Sequence, residues 1–518
     1  MTPIVLDFLA HNARVWPNKE ALVELVTGRR WTWAEFDRDA RRAEQVLRSR
    51  IGDPAGARVA MLSRNSAAML IVQQACIRAG AIFVPLNWRL AAPEIAFLLQ
   101  DCEPALLIHE ELFRDLLPAA GCQRLIIGDS RDELADAMQG VQVQGVGVGR
   151  RLDPDAPITI LYSSGTTGKP KGAVISLLNG FTGALGLALG TNANLHGTLL
   201  LDMPLFHTAG LFGSGWSMML VGGRVLISQK FEAPVTYARL SDPQLGVTHY
   251  FSVTQMAMSM RQLPDFDGRR LSRLTAYVTG GSPNPEAHHR VWLEDGVMML
   301  NGFGMSETCS STATPIGDLE LLKRKAGTVG VPHLALELRI VRPDGQDAGP
   351  NEVGELWCRG ASVTSGYWKR PELNQAAFTD GWFRSGDAAL RDADGYYMLV
   401  DRLKDMFISG GENVYPAEVE AVLSAMPGMG DMAVIGVPDE RWGEVGCAYV
   451  VPAAGASLTE QQVIEHCGRY LAKYKIPKQV VITDRIERTA SGKISQMSPA
   501  TTTTASRMIR IAPEIGAL

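Results

Sequence analysis

The segment Tyr162 to Gly172, YSSGTTGKPKG, interleaves the hydroxyls of Ser163, Ser164, Thr166 and Thr167 with Gly165, Gly168, Gly172, Lys169 and Lys171. Glycines let main-chain N–H groups approach a ligand, and ammonium groups neutralise an anion, so the chemistry this composition suits is phosphate binding. The G-x-x-x-x-G-K-[ST] pattern does not fit: Gly165 precedes Gly168 by three positions, and Pro170 follows Lys169 where a metal-binding hydroxyl would be needed. A solvated turn would explain the glycines and the proline, but not two lysines among four hydroxyl residues.

Such a loop must be held by a strand, and ITILYSS runs into it, placing it at a strand's carboxyl end where ligands sit in α/β sheets. The glycine- and proline-rich stretch 143–157 reads as the surface connection leading into that strand. Upstream, helical periodicity over 33–50, a strand over 57–63 and a second helix to Ala79 predict an α/β domain with parallel sheet. From Val353 the chain reads as short strands and turns, a small barrel-like part, with Asp394-Gly395 marking a hairpin. Beyond Pro416, helix, strand, strand and helix predict a compact α+β unit, dividing the chain into 1–403 and 404–518, with an aperiodic tail at 496–518 expected to be disordered. Met256, Met258 and Met260 read as alternating side chains of a buried strand.

A chain of 518 residues exceeds a single core, so more than one domain is expected. A net charge of −5 gives no basic footprint for nucleic acid or an anionic membrane, which leaves small molecules as partners. The seven cysteines are isolated, without C-x-x-C pairs, so neither a disulfide framework nor a zinc site is expected. No apolar run reaches the roughly 18 residues of a membrane span, and the first residues lack a signal-peptide pattern. These features predict a cytoplasmic location.

Four further stretches join the loop: PLFH (204–207), NGFGMSET (301–308), FRSGD (383–387) with DRLKDMFISGGENVYPAEVE (401–420), and RTASGK (488–493). In this order they resemble the adenylate-forming superfamily of acyl-CoA synthetases, peptide-synthetase adenylation domains and luciferases, over about Ala21 to Lys493. The resemblance implies an enzyme using ATP, Mg²⁺ and coenzyme A, with a mobile C-terminal domain and a small carboxylic acid as substrate; it leaves a homodimer open. It implies that Ser163, Ser164, Gly165, Thr166, Thr167, Gly168, Lys169 and Lys171 hold the ATP phosphates. Glu307 would be the Mg²⁺ carboxylate, with Thr308 beside it. Gly281, Ser282, Pro283 and Phe303 would sandwich adenine, Asn301, Gly302 and Gly304 would also bind ATP, and Asp387 and Arg402 would hold the ribose. Phe303, lying between two glycines, is expected against the ligand rather than in a packed core. Lys493 would act in adenylation, Lys404 as the hinge, and Gly410 and Gly411 would line the thiol tunnel. His207 would gate the substrate carboxylate.

The acyl pocket implied by the same resemblance comprises His207, Phe212, Thr254, Met305, Val329, Gly330 and Val331. It has no basic residue for a dicarboxylate, and Phe206 to Ala209 lacks the Asp that pairs with an amino-acid ammonium. The expected substrate is an aromatic, hydroxycinnamic-like acid or a medium-chain fatty acid, joined to CoA; loading of a carrier protein is the alternative. Leu177 and Leu178 before Asn179 depart from the family's usual His or Arg, which puts a loop-anchoring contact in question.

Overall fold

Apolar runs bounded by turn residues pair into four sheets in the computed structural model, which describes residues 7–119, 121–145, 147, 152–163, 170–281, 284–402, 405–409, 412–439 and 442–486. The first sheet runs in the order Gln123–Ile127, Leu106–Glu110, Arg58–Leu62, Ile82–Leu86, Pro157–Ser163 and Lys171–Ser176. All pairs are parallel except the last. The central strand Ile82–Leu86 is buried throughout, as expected of parallel sheet covered on both faces. One cover is helix Trp33–Ile51, started by a reciprocal Thr32–Glu35 capping box and stopped at Gly52, φ +82°. Its Phe36, Ala40, Ala43 and Leu47 recur at helical spacing and are fully buried.

The last pair of that sheet keeps the expected strand before the glycine-rich segment and adds what local sequence did not carry. Strand Pro157–Ser163 returns through an antiparallel partner, with Tyr162 opposite Gly172 and Ser163 opposite Lys171, so the glycine-rich segment joins two arms of a hairpin. Helix Leu177–Gly190 follows only after the second arm, capped reciprocally by Ser176 and Asn179. Asn179 also donates to Ala361 O and Val363 O at 2.9 Å each, anchoring the helix start.

The nine-stranded second sheet has a parallel centre: Glu20–Glu24, Arg224–Ile227, Thr198–Leu201, His249–Ser252, Ala276–Thr279 and Met299–Phe303. The methionines at 256, 258 and 260 lie in helix Thr254–Arg261, not in a strand. Ala257 N bonds Val253 O, which closes the first turn and brings Met256 and Met260 inward on one face. The third sheet, Leu336–Val341, Gly354–Gly360, Trp382–Arg391, Phe378–Thr379 and Tyr397–Arg402, is antiparallel. Bulges at Glu355/Trp357 and Ala388/Ala389 curl it into the barrel-like part. Gly395, φ +89°, turns its hairpin at the expected place.

The fourth sheet, Phe407–Ser409, Glu412–Val414, Met429–Asp439, Gly443–Pro452 and Gln479–Ile482, packs helices Pro416–Ser424 and Glu460–Tyr470 around its own core of Phe407, Val419, Leu423, Val434, Ala448 and Val463. This is the expected α+β unit. The seven cysteines are free thiols, and among the described residues no helix is long and apolar enough to cross a membrane.

Candidate active site

Strand Met299–Phe303 turns back onto Thr312–Ala313, and the loop between them carries Glu307. Cys309 makes the reversal at φ +59°, and Ser311 N closes the loop on Phe303 O at 2.9 Å. Thr308 is spent inside that loop: its hydroxyl bonds Ser311 Oγ at 2.6 Å and accepts from Met305 N at 3.3 Å. Glu307 is 3% exposed, and its Oε1 lies 3.1 Å from Lys171 Nζ, on the outgoing arm of the glycine-rich hairpin. The Tyr367 hydroxyl sits between them, accepting from Lys171 Nζ at 2.6 Å and donating to Glu307 Oε1 at 2.7 Å. Among the described residues both contacts fall on Oε1 and none on Oε2, which leaves that oxygen for a further ligand.

Among the described residues no group of three or more His, Cys, Asp or Glu could hold a metal by itself. A single buried carboxylate with one uncommitted oxygen does fit Mg²⁺, which takes one or two carboxylates and completes its octahedron with phosphate oxygens and water. At the foot of the hairpin Ser163 Oγ is buried and bonds to no described group, as expected where a ligand supplies the partner. Ser164, Gly165, Thr166, Thr167, Gly168 and Lys169 lie outside the described residues.

Asn301 and Thr279 are aligned on adjacent parallel strands, and Thr279 Oγ1 meets Asn301 Oδ1 at 3.3 Å. Asn301 also donates to Thr328 O, and Gly281, φ +80°, begins the turn beyond Thr279. Ser282 and Pro283 lie outside the described residues. Phe303 corrects the expectation that flanking glycines keep it out of a core: it is 8% exposed and packs with Val329, Leu336, Leu356 and Tyr397. The glycines serve the chain itself, because a Cβ at Gly302 would lie 2.9 Å from Thr312 O and one at Gly304 2.5 Å from Cys309 O. Asp387 is buried and directly opposite Arg402 in the antiparallel third sheet, which makes the two residues cross-strand neighbours; the Arg402 side chain is outside what is described.

His207 ends a turn fixed from another sheet. Asn65, in the loop after Arg58–Leu62, donates to Met203 O and accepts from Leu205 N, both at 2.9 Å. The chain then enters a π-helix, Ala209–Trp216, a rare form frequent at functional sites. Gly210 permits that entry, since a Cβ there would stand 2.2 Å from Pro204 O. The half-buried His207 ring packs on Phe206, 4.6 Å between centroids. Phe212 has no exposed surface: it packs edge-on to Trp216 and against Gly180, so in this structure it backs the pocket wall rather than lining it. Val329 and Gly330 are likewise committed, Val329 N bonding Tyr397 O and Gly330 lying against Ala313. Thr254 is buried at a helix start, while Met305 and Val331 keep partial exposure. Lys404, Gly410, Gly411 and Lys493 lie outside the described residues.

Tyr367, Asn65 and Asp101 escaped the sequence reading. Asp101 accepts from Tyr162 OH and from Arg370 Nη2, each at 2.6 Å, bracing the incoming arm of the hairpin. Their signal lies in partners far away in sequence, which local spacing does not carry. Asn65 alone had a local hint, as a polar residue just past a strand's carboxyl end.

Residues 9–368 match the AMP-binding enzyme family, and residues 418–493 match the AMP-binding enzyme C-terminal domain. The chain is 37% identical over 469 residues to a feruloyl-CoA synthase of an Amycolatopsis species, covering 89% of this chain and 92% of that protein. It is 35% identical over 492 residues to the long-chain-fatty-acid–CoA ligase FadD13 of Mycobacterium tuberculosis, covering 94% and 96%. The fold also superposes on the O-succinylbenzoate coenzyme A synthetase of Bacillus subtilis in complex with ATP and magnesium ion, with a TM-score of 0.81 and 29% identity over 94% of this chain and 98% of that one.

Proposed function

This chain belongs to the AMP-binding enzyme family and is an AMP-forming acyl-CoA synthetase that uses ATP, Mg²⁺ and coenzyme A, and on that premise we propose that its acid is aromatic and hydroxycinnamic-like, with a medium-chain fatty acid as the second reading. The first reading is supported by the feruloyl-CoA synthase relative and by a pocket wall without basic side chains; the second by the fatty-acid ligase relative. The substrate carboxylate attacks the α-phosphorus of ATP and pyrophosphate leaves. The CoA sulfur then takes the acyl group, releasing AMP.

Two anions meet in the first step, so charge must be neutralised and geometry fixed. The observation that carries the reading is the convergence of Lys171 and Glu307 at the foot of the phosphate hairpin. Lys171 neutralises phosphate charge, and Glu307 with its open Oε2 holds Mg²⁺, which when bound offsets charge on the phosphate oxygens. Ser163 and the hairpin residues 164–169 donate to the phosphates. Asp387 accepts from the ribose hydroxyls, with Arg402 opposite; Asn301 and Gly281 border the adenine. His207 gates the carboxylate, Lys493 serves adenylation, and after a swing about Lys404 the Gly410–Gly411 side admits the thiol. The division into 1–403 and 404–518 and a cytoplasmic location belong to the same proposal.

The test is pyrophosphate release with ATP and Mg²⁺ over a panel of aromatic, short, medium and long acids, with and without CoA. CoA-dependent turnover of a hydroxycinnamate to its thioester is the expected result. Turnover confined to fatty acids would replace the first reading with the second, and an adenylate that ignores CoA would move the acceptor to a carrier protein.

A further inference from the structure

The segment 364–370 touches both walls of the phosphate-facing region. Val174 N bonds Gly366 O at 2.9 Å and Trp368 N bonds Gly172 O at 2.8 Å, with Tyr367 paired antiparallel to Ala173. The segment therefore meets the outgoing arm of the hairpin at a single antiparallel bridge, flanked by two backbone hydrogen bonds. At one end Thr364 N donates to Glu307 O at 2.7 Å; at the other Arg370 shares the Asp101 carboxylate with Tyr162 of the incoming arm. Tyr367 is further fixed by its own N–H, which bonds Asn374 Oδ1 at 2.6 Å.

Between these anchors the Tyr367 phenol reaches Lys171 and Glu307 together. Its ring lies 4.1 Å from Lys171 Nζ, and its hydroxyl engages both charged groups. A carboxylate with one oxygen held by two donors has lost its freedom to rotate, so its second oxygen points in a fixed direction. Outer partners of this kind orient ligating groups and tune their affinity. Without the phenol, the ammonium of Lys171 could swing across both carboxylate oxygens and compete with a cation for them.

We propose that Tyr367 is a positioning residue that presents Glu307 Oε2 to the cation and holds Lys171 beside, rather than across, that carboxylate. This rests on the assignment of Glu307 to the metal given above. Tyr367→Phe deletes the oxygen and keeps the ring in place. Calorimetry of ATP binding, with Mg²⁺ and with a chelator instead, gives the Mg²⁺-dependent gain in affinity without any turnover. The expected result is a gain reduced about tenfold, the scale of one hydrogen bond to a charged group, with the chelator-state affinity and the melting temperature unchanged. A full gain in the variant overturns the proposal. So does an equal loss of affinity in both conditions with a lower melting temperature, since Tyr367 would then be a structural strut. Glu307→Gln separates the two claims: if it keeps the gain, the metal assignment itself fails; if it loses the gain while Tyr367→Phe keeps it, only the positioning role fails.

Discussion

Lys171, Glu307 and Tyr367, separated by 60 to 196 residues in sequence, are fixed by hydrogen bonds between side chains on the side proposed to hold phosphate. On the side proposed for the acid the fixing is by shape. Gly210 folds beneath Pro204 O, and Gly180, Gly183 and Gly186 of one helix admit Phe212, Cys309 and His333 at distances where a Cβ would stand 2.6 Å from each of them. The first side tolerates changes around it and fails when one charged atom is lost. The second tolerates the loss of a polar atom and fails when one methyl group is added.

The largest expected break in that contrast is Glu307→Gln. It is nearly isosteric, so the melting temperature should hold, while the rate of pyrophosphate release falls about 10²–10³-fold, the cost of removing one electrostatic contributor. A change of only a few-fold would show that charge at Glu307 does not govern the phosphate side.

Acid tests the other side next. His333, wedged against the glycine helix with Nε2 on Ser310 Oγ at 2.9 Å, is pushed by burial down to about 4. The unfolded chain takes up a proton near 6.5 and the folded chain does not until about 4, so stability present above 6.5 is lost as the pH falls through that window, by about 3 kcal/mol. Buried His249 and His289 are shifted in the same direction and add to it. Chemical denaturation from pH 7 to 4.5 should show the slope, and His333→Gln should flatten part of it; an unchanged slope in the variant would exclude His333 as a source.

The smallest effect sharpens the contrast most. Gly183→Ala should cost about 1–3 kcal/mol by overpacking. Because Cys309 already sits at φ +59°, Cys309→Gly is a comfortable relief for its Cβ contact with residue 183, and the double variant should recover part of the loss. Additive losses in a double-mutant cycle would mean the two positions do not clash.

The same division explains what the sequence made legible. Loops that meet phosphate or a carboxylate are built from contiguous residues of distinctive type, so the hairpin segment, NGFGMSET and FRSGD could be read locally, as could the long capped helix at 33–51. Phe303 was misjudged because its flanking glycines clear the way for Thr312 and Cys309, partners invisible along the chain. Met256, Met258 and Met260 fit either period over so short a run, and the turn closing on Val253 decided for helix. Tyr367 and Asn65 owe their importance wholly to distant partners.

The antiparallel return after Ser163 has one more consequence. A strand followed by a helix would leave the glycine-rich segment with one anchored end and one hinged on another element. Here both ends, Ser163 and Lys171, are neighbours in a single ladder, about 5 Å apart. The entropy of bringing them together is spent when the protein folds, so an arriving nucleotide does not bear it. Amide exchange should therefore be slow along both arms up to the last paired residues, whether or not nucleotide is bound.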